Sequence, residues 1–222
     1  MIIQSSVSDF LAGCQIGDSL CWWGGSWLSH AIESQTGDGP SHVSMVRRID
    51  ARTPAGIVLV ESTEVATPHR FIGVVERSVG EEIDEYNQEH GQGVWLPLAA
   101  RYRTADYNWD DWAAWMDSRI GDSYSYAQMI LEAYDELVVS HHIPGLDIIA
   151  ADFARGNWHQ EFCSQLWCMG KQHIKVLSAS RIPGLTAPKN SWQAAIYDTA
   201  ARQFAGAPLT LPNDLSYNSV AP

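Results

Sequence analysis

The 222 residues carry a formal net charge of −12, with 45% apolar and 18% charged side chains. These proportions fit one folded domain with a substantial core and exclude a disordered or fibrous chain. The acidity argues against nucleic acid or an anionic membrane as a partner, and no stretch approaches the roughly 20 apolar residues of a membrane span.

In chain order, Met1 to Ser6 shows no basic stretch followed by an apolar run, so a cytoplasmic setting is expected. Gly17 to Trp23 reads as a turn entering a strand that Gly24-Gly25 breaks, and Ser26 to Ser34 as a short helix with Trp27, Leu28 and Ile32 on its apolar side. Ser41 to Ile49 is the clearest strand: Val43, Met45 and Arg47 share one face, and His42, Ser44 and Val46 the other. Ile57 to Val60 is a β-branched apolar run, expected to be buried on both sides, with Glu61 at its end; a turn over 50–56 joins the two as a hairpin. Phe71 to Val79 and Gly93 to Leu98 are further strand candidates.

The second half reads as helical. Asn108 to Arg119 ends at Gly121, and Tyr126 to Val139 is amphipathic. After a loop over 141–157, Glu161 to Gln172 reads as a helix, and Ser191 as the cap of a last one carrying Trp192, Ile196 and Ala200 inward. The tail from Ala207 has three prolines and no periodicity. Strands first and helices later indicate an α+β fold, a single domain over 1–206 with an extended or disordered tail over 207–222.

Ten tryptophans need a core, a cleft or an interface to sit in. Cys14, Cys21, Cys163 and Cys168 read as free thiols, since nothing marks an oxidising compartment. His159, Cys163, Cys168 and His173 lack the close pairs on turns that structural zinc sites use, so no metal is expected.

Cysteine catalysis needs a thiol of lowered pKa, a base within reach and a group to orient that base. Cys163 lies at the start of a predicted helix, whose dipole and free N–H groups favour a thiolate and can hold an oxyanion. His42 supplies the base from its strand, and Glu61 on the next strand can hold one ring nitrogen, with Glu64 the competing carboxylate. Cys14, Cys21 and Cys168 read as inert. Trp22 and Trp23, beside the Gly24-Gly25 break, are candidate cleft walls.

The ordered segments Gly17-Asp18-Ser19-Leu20, Ser41-His42-Val43-Ser44-Met45-Val46, Val58-Leu59-Val60-Glu61-Ser62 and Phe162-Cys163-Ser164-Gln165-Leu166 resemble the circularly permuted NlpC-type family of papain-like amidases and peptidases (YiiX/YaeF-like). In the permuted order the histidine strand comes first and the cysteine helix late, as here. The resemblance covers roughly residues 15 to 195. It implies a papain-like domain, a small antiparallel sheet with the nucleophile helix packed on it, and Cys163, His42 and Glu61 as nucleophile, base and orienting acid. Gly121-Asp122-Ser123-Tyr124 resembles the family's Gly-x-x-Tyr turn. Tyr124, Trp22, Trp23, Ser44 and Ser164 are the candidate substrate contacts. Two positions depart from the pattern: Ser44 stands where the family has a very small residue, and Gln165 where it has an acid.

The implied reaction is hydrolysis of an amide in a small peptide, a peptidoglycan-derived peptide or a lipid-linked amide, with no cofactor. Meeting a cell wall from the cytoplasm would need a lysis, injection or export route, which a phage or mobile-element origin would supply. Two other readings are a thiol acyltransferase acting on lipids, like the lecithin–retinol acyltransferase group, and a binding or structural protein that keeps the scaffold without turnover. The sequence sets no oligomeric state.

Overall fold

The computed structural model describes residues 1–35, 37–63, 73–123, 163–181, 183, 186, 188–210 and 217. The expected helix over 126–139, the loop over 141–157, Tyr124, Glu64 and His159 lie outside them.

Among the described residues, seven strands form one sheet: β1 (Ile2–Gln4), β2 (Ser19–Trp23), β3 (His42–Ile49), β4 (Ile57–Thr63), β5 (Gly73–Ser78), β6 (Gln92–Leu96) and β7 (Ala201–Ala205), in the spatial order β1-β7-β6-β2-β3-β4-β5. β1 pairs with β7 in parallel, and every other pairing is antiparallel. The fold is therefore α+β, as expected. The sheet is larger than the small antiparallel one anticipated, and mixed, because the chain ends add a parallel pair at one edge.

Helices cover both faces. α1 (Val7–Gly13) and α3 (Val79–Gln88) lie on one side, where Phe10 and Tyr86 pack with Leu20, Trp22, Val46, Leu59 and Phe204. α4 (Trp109–Arg119), α5 (Cys163–His173) and α6 (Pro188–Gln193) lie on the other, where Trp112, Met116, Leu166, Trp167 and Trp192 meet Cys21, Val43, Met45 and Val60. This two-sided cover is why β4 is buried at all seven positions. Four of the ten tryptophans, Trp22, Trp112, Trp167 and Trp192, are fully buried, so much of the indole content serves the core. Each such ring removes about 150–250 Å² from water, on the order of 4–6 kcal/mol before the entropy of ordering.

Local chemistry sets the boundaries. The Ser6 and Ser78 hydroxyls cap α1 and α3, in boxes completed by Asp9 and Glu81. Asn108 caps α4, and Gly121, at φ 95°, turns the chain away after it. Gly17 enters β2 at φ 84°, with the Trp109 ring where a β-carbon would stand. The chain between β2 and β3 carries α2 (Trp27–Gln35).

Elements not expected from the sequence are β1, α1, α3 and β7. The expected last helix is shorter than its apolar spacing implied. α6 spans only residues 188–193, and Ser191 lies inside it, its hydroxyl donating to the Pro188 carbonyl rather than capping. The chain then turns and becomes β7. Part of the tail is docked: Leu209 donates its N–H to Gln203 Oε1, and Tyr217 packs on Trp192 and donates to the Asp198 carbonyl.

Candidate active site

β3 and β4 carry the first two groups. Met45 pairs with Val60, and strand alternation puts His42, Ser44 and Glu61 on the face covered by α3. His42 is the first residue of β3, where the end of the sheet meets the N-terminus of α5 from the opposite side. Cys163, the first residue of α5, is 5% exposed, and it lines the same cleft as the His42 ring, near enough for its sulfur to raise the ring's pKa. The first N–H groups of α5 have no partner within the helix, which leaves them to an anion at that point.

The histidine is held firmly. Its Nε2 donates to Glu61 Oε2 at 2.8 Å, so Nδ1 is the nitrogen left for the thiol. Glu61 is 1% exposed, and its other oxygen accepts from Arg77 Nη1 at 3.1 Å. Arg77 reaches on to Glu85. Beneath lies a second acid on α3: Glu82, fully buried, with Oε1 3.8 Å from His42 Nε2. Its Oε2 accepts from the Ser44 hydroxyl at 3.0 Å, and Ser44 accepts from Trp22 Nε1 at 3.0 Å.

The electrostatics follow from burial and charge pairing. Burial works against a charged His42 ring, but the Cys163 sulfur and the Glu61 carboxylate outweigh it and hold the ring well above its ordinary pKa. Burial also pushes Glu61 up, yet the adjoining Glu82 carboxyl, the His42 charge and Arg77 bring it below the usual carboxylate range. Glu82 moves the other way, raised by burial and by the neighbouring Glu61 charge.

A cleft of about 50 Å³ opens over Cys163 and His42, bordered by Ser26, Ser29, Ile32, Ser41, Thr63, Arg77, Glu85 and Glu89. Its wall is mostly hydroxyl and charged groups.

No protein-family model and no curated protein sequence matches this chain.

Cys163, His42 and Glu61, remote in sequence, thus stand together, with the histidine between the other two. The candidate substrate contacts fare differently. Ser44 is fully buried and engaged by Trp22 and Glu82, so it supports the site from behind and does not face the cleft. Trp22 is no cleft wall: alternation turns it to the α3 side, where it is fully buried and stacks on Tyr86 at 4.6 Å. Trp23, on the opposite face, lines a second cleft of about 460 Å³, which shares Glu89 with the first. Ser164 is fully buried within α5 and does not border the cleft over Cys163.

Glu82 and Arg77 are the site residues that the sequence reading passed over. Glu82 carried a usable signal. Ser78 and Glu81 form a capping-box pattern that starts a helix, and Val79, Glu82 and Tyr86 recur on its inward stripe, so an acid stood at a core position. Among the described residues, His42, Glu61 and Glu82 are also the group whose donor atoms lie close enough for a metal ion, all within 4.8 Å of one another. Arg77, already on Glu61, is an unfavourable neighbour for a cation there.

Proposed function

We propose that this protein is a papain-like cysteine hydrolase that cleaves amide bonds through a thioester on Cys163. The observation that carries the reading is the His42 ring, hydrogen-bonded to the buried Glu61 carboxylate, on one cleft with the Cys163 thiol at the start of α5. In this mechanism His42 Nδ1 takes the thiol proton while Glu61 fixes the ring through Nε2. The sulfur attacks the carbonyl carbon, and backbone N–H groups at the start of α5 receive the developing oxyanion. His42 returns the proton to the leaving amine, and water then attacks the thioester to release the acid. Every step uses this chain's own side chains and water.

The substrate class is a peptide or other small amide, peptidoglycan-derived peptides included. The hydroxyl and charged groups around the cleft favour a polar substrate over an acyl lipid, and thus hydrolysis over lipid acyl transfer.

The test is the pH dependence of Cys163 alkylation by iodoacetamide, mapped by mass spectrometry in the native protein and in His42→Ala. An isolated thiol titrates near about 8.5. Selective reaction of Cys163 below about pH 7, abolished in His42→Ala, supports the thiolate–imidazole pair, and a screen of peptide amides then defines the substrate. Ordinary thiol behaviour in both proteins overturns the reading.

A further inference from the structure

Glu82 sits in the second layer of this site. Its Oε2 takes the Ser44 hydroxyl, but Oε1 is buried and has no hydrogen-bond donor among the described residues. An ionised carboxylate buried to that degree ordinarily has a cation against it. The cations nearby are already engaged. Arg77, from β5, bonds Glu61 and Glu85. His42, from β3, donates Nε2 to Glu61 at 2.8 Å and stands 3.8 Å from Glu82 Oε1. Among the described residues the other group there is Glu61, an acceptor: the His42, Glu61 and Glu82 donor atoms all lie within 4.8 Å of one another. Two acceptor oxygens side by side in a buried space are reconciled by one proton between them.

We propose that Glu82 is a positioning residue of the catalytic site, a neutral carboxylic acid that donates its proton in a hydrogen bond to Glu61 and so fixes that carboxylate on the His42 ring. The proposal rests on the Cys163–His42–Glu61 reading and extends it by one residue. It gives Ser44 and Trp22 a purpose: Trp22 donates to Ser44, Ser44 donates to Glu82, and Glu61 accepts from His42, so that a proton on Glu82 directed at Glu61 completes the series. The donors run in one direction from β2 through β3 and α3 to β4. A neutral Glu82 also balances charge, since a second buried carboxylate would leave Glu61, Glu82, Glu85 and a Cys163 thiolate facing only Arg77 and His42. The opposed shifts of Glu61 and Glu82 agree with one shared proton.

The test compares the full-length chain with Glu82→Gln and Glu82→Met. Glutamine keeps the shape, the acceptor for Ser44 and an N–H for Glu61, whereas methionine keeps only the bulk. The readouts are the His42 ring titration by ¹⁵N NMR, the pH profile of Cys163 alkylation, and the carboxylic-acid carbonyl band in infrared difference spectra.

The expected result is that Glu82→Gln matches the native His42 titration and alkylation profile. Glu82→Met should lower the His42 pKa by about one unit and cut alkylation near pH 6 by about tenfold, because Glu61 without its donor is held less closely on the ring and stabilises the imidazolium less. The acid band should be present in the native protein at neutral pH and missing in Glu82→Gln. That comparison stands even where Glu82→Met does not fold.

Three outcomes overturn the proposal: Glu82→Met behaving as native, Glu82→Gln behaving like methionine, or no acid band in the native protein. Stoichiometric binding of Zn²⁺ by calorimetry, lost in Glu82→Gln, overturns it too, since Glu82 would then be a metal ligand. If native Cys163 reacts as an ordinary thiol, the hydrolase reading fails, while the His42 titration and the infrared band still decide the role of Glu82.

Discussion

Lys171 on α5 is fully buried, donates to the Gly17 carbonyl and lies over the Trp109 ring at 5.9 Å. Burial, reinforced by the Arg103 charge and opposed by Asp18, pushes its amine down to about 7. In the unfolded chain a lysine titrates near about 10.4. Between those values the unfolded chain holds a proton that the folded one does not. Stability from this group therefore rises with pH, by at most about 1.4 kcal/mol per unit. Below pH 7 both states are protonated and the cost of burying the charge is present in full, on the order of 5 kcal/mol. Lys171→Met removes that cost and leaves the Gly17 carbonyl without its donor, a loss of about 1–2 kcal/mol that does not vary with pH. The buried thiols of Cys14, Cys21 and Cys168, raised by burial to about 11, 12 and 11, act in the opposite direction above about pH 8.5. They are shared by both proteins, so the difference between the two isolates Lys171. The assay is urea unfolding of both proteins at about pH 7 and about pH 9. The stability of Lys171→Met relative to native should fall by about 2–3 kcal/mol across that window. A difference that stays constant with pH refutes the reasoning and means that Lys171 remains charged in the fold.

Three further outcomes are expected. Glu61→Gln leaves Arg77 and His42 without their buried anion and should cost about 3–5 kcal/mol at neutral pH. Because the folded Glu61 pKa is depressed, that cost is present in full above the unfolded carboxylate value of about 4.3 and shrinks as pH falls toward the folded value, so the gap between the two proteins in urea should be smaller by about 2 kcal/mol at about pH 3 than at neutral pH. Gly25→Ala puts a β-carbon 1.8 Å from the Glu89 carbonyl oxygen, and the resulting backbone shift at the entry to α2 should lower the melting temperature by at least about 4 °C; an unchanged melting temperature counts against the packing described. Asp18→Ala removes the acceptor shared by the Gln15 and Leu98 amides, Trp95 Nε1 and Arg103, and should destabilise by about 3–5 kcal/mol in chemical denaturation, where a loss under 1 kcal/mol contradicts the network.

The hairpin that carries His42 and Glu61 was legible because two signals agree there, a period-two alternation over 42–49 and an unbroken apolar β-branched run over 57–60. The start of α5 at Cys163 was legible for a similar reason, from Leu166, Trp167 and Met169 after a polar residue. What escaped depends on partners distant in sequence. The recurrence of Trp192, Ile196 and Ala200 every four residues reads as helix up to Ala200, whereas β7, just beyond, carries no such local signal; its strand character comes from pairing with β6 and β1. Trp22, beside the Gly24-Gly25 break, and Ser44, two residues after His42, read as cleft contacts from the sequence, which does not tell what covers their face. Covering by α3 turned both into supports for a buried acid.

The parallel pairing of β1 with β7 joins residues at opposite ends of the described chain, and Gln4 and Gln203 hydrogen-bond across 199 positions. His42 and Glu61, by contrast, meet across 19. A chain emerging from the ribosome delivers base and carboxylate early, as near neighbours, and the thiol on the order of a hundred residues later. The edge strand waits longer still, until β7 exists to receive it. The proposed pair is in this sense a product of chain closure: a nascent chain that stops short of α5 carries His42 and Glu61 with no thiol beside them, and Cys163 meets the histidine only when α5 packs onto the sheet.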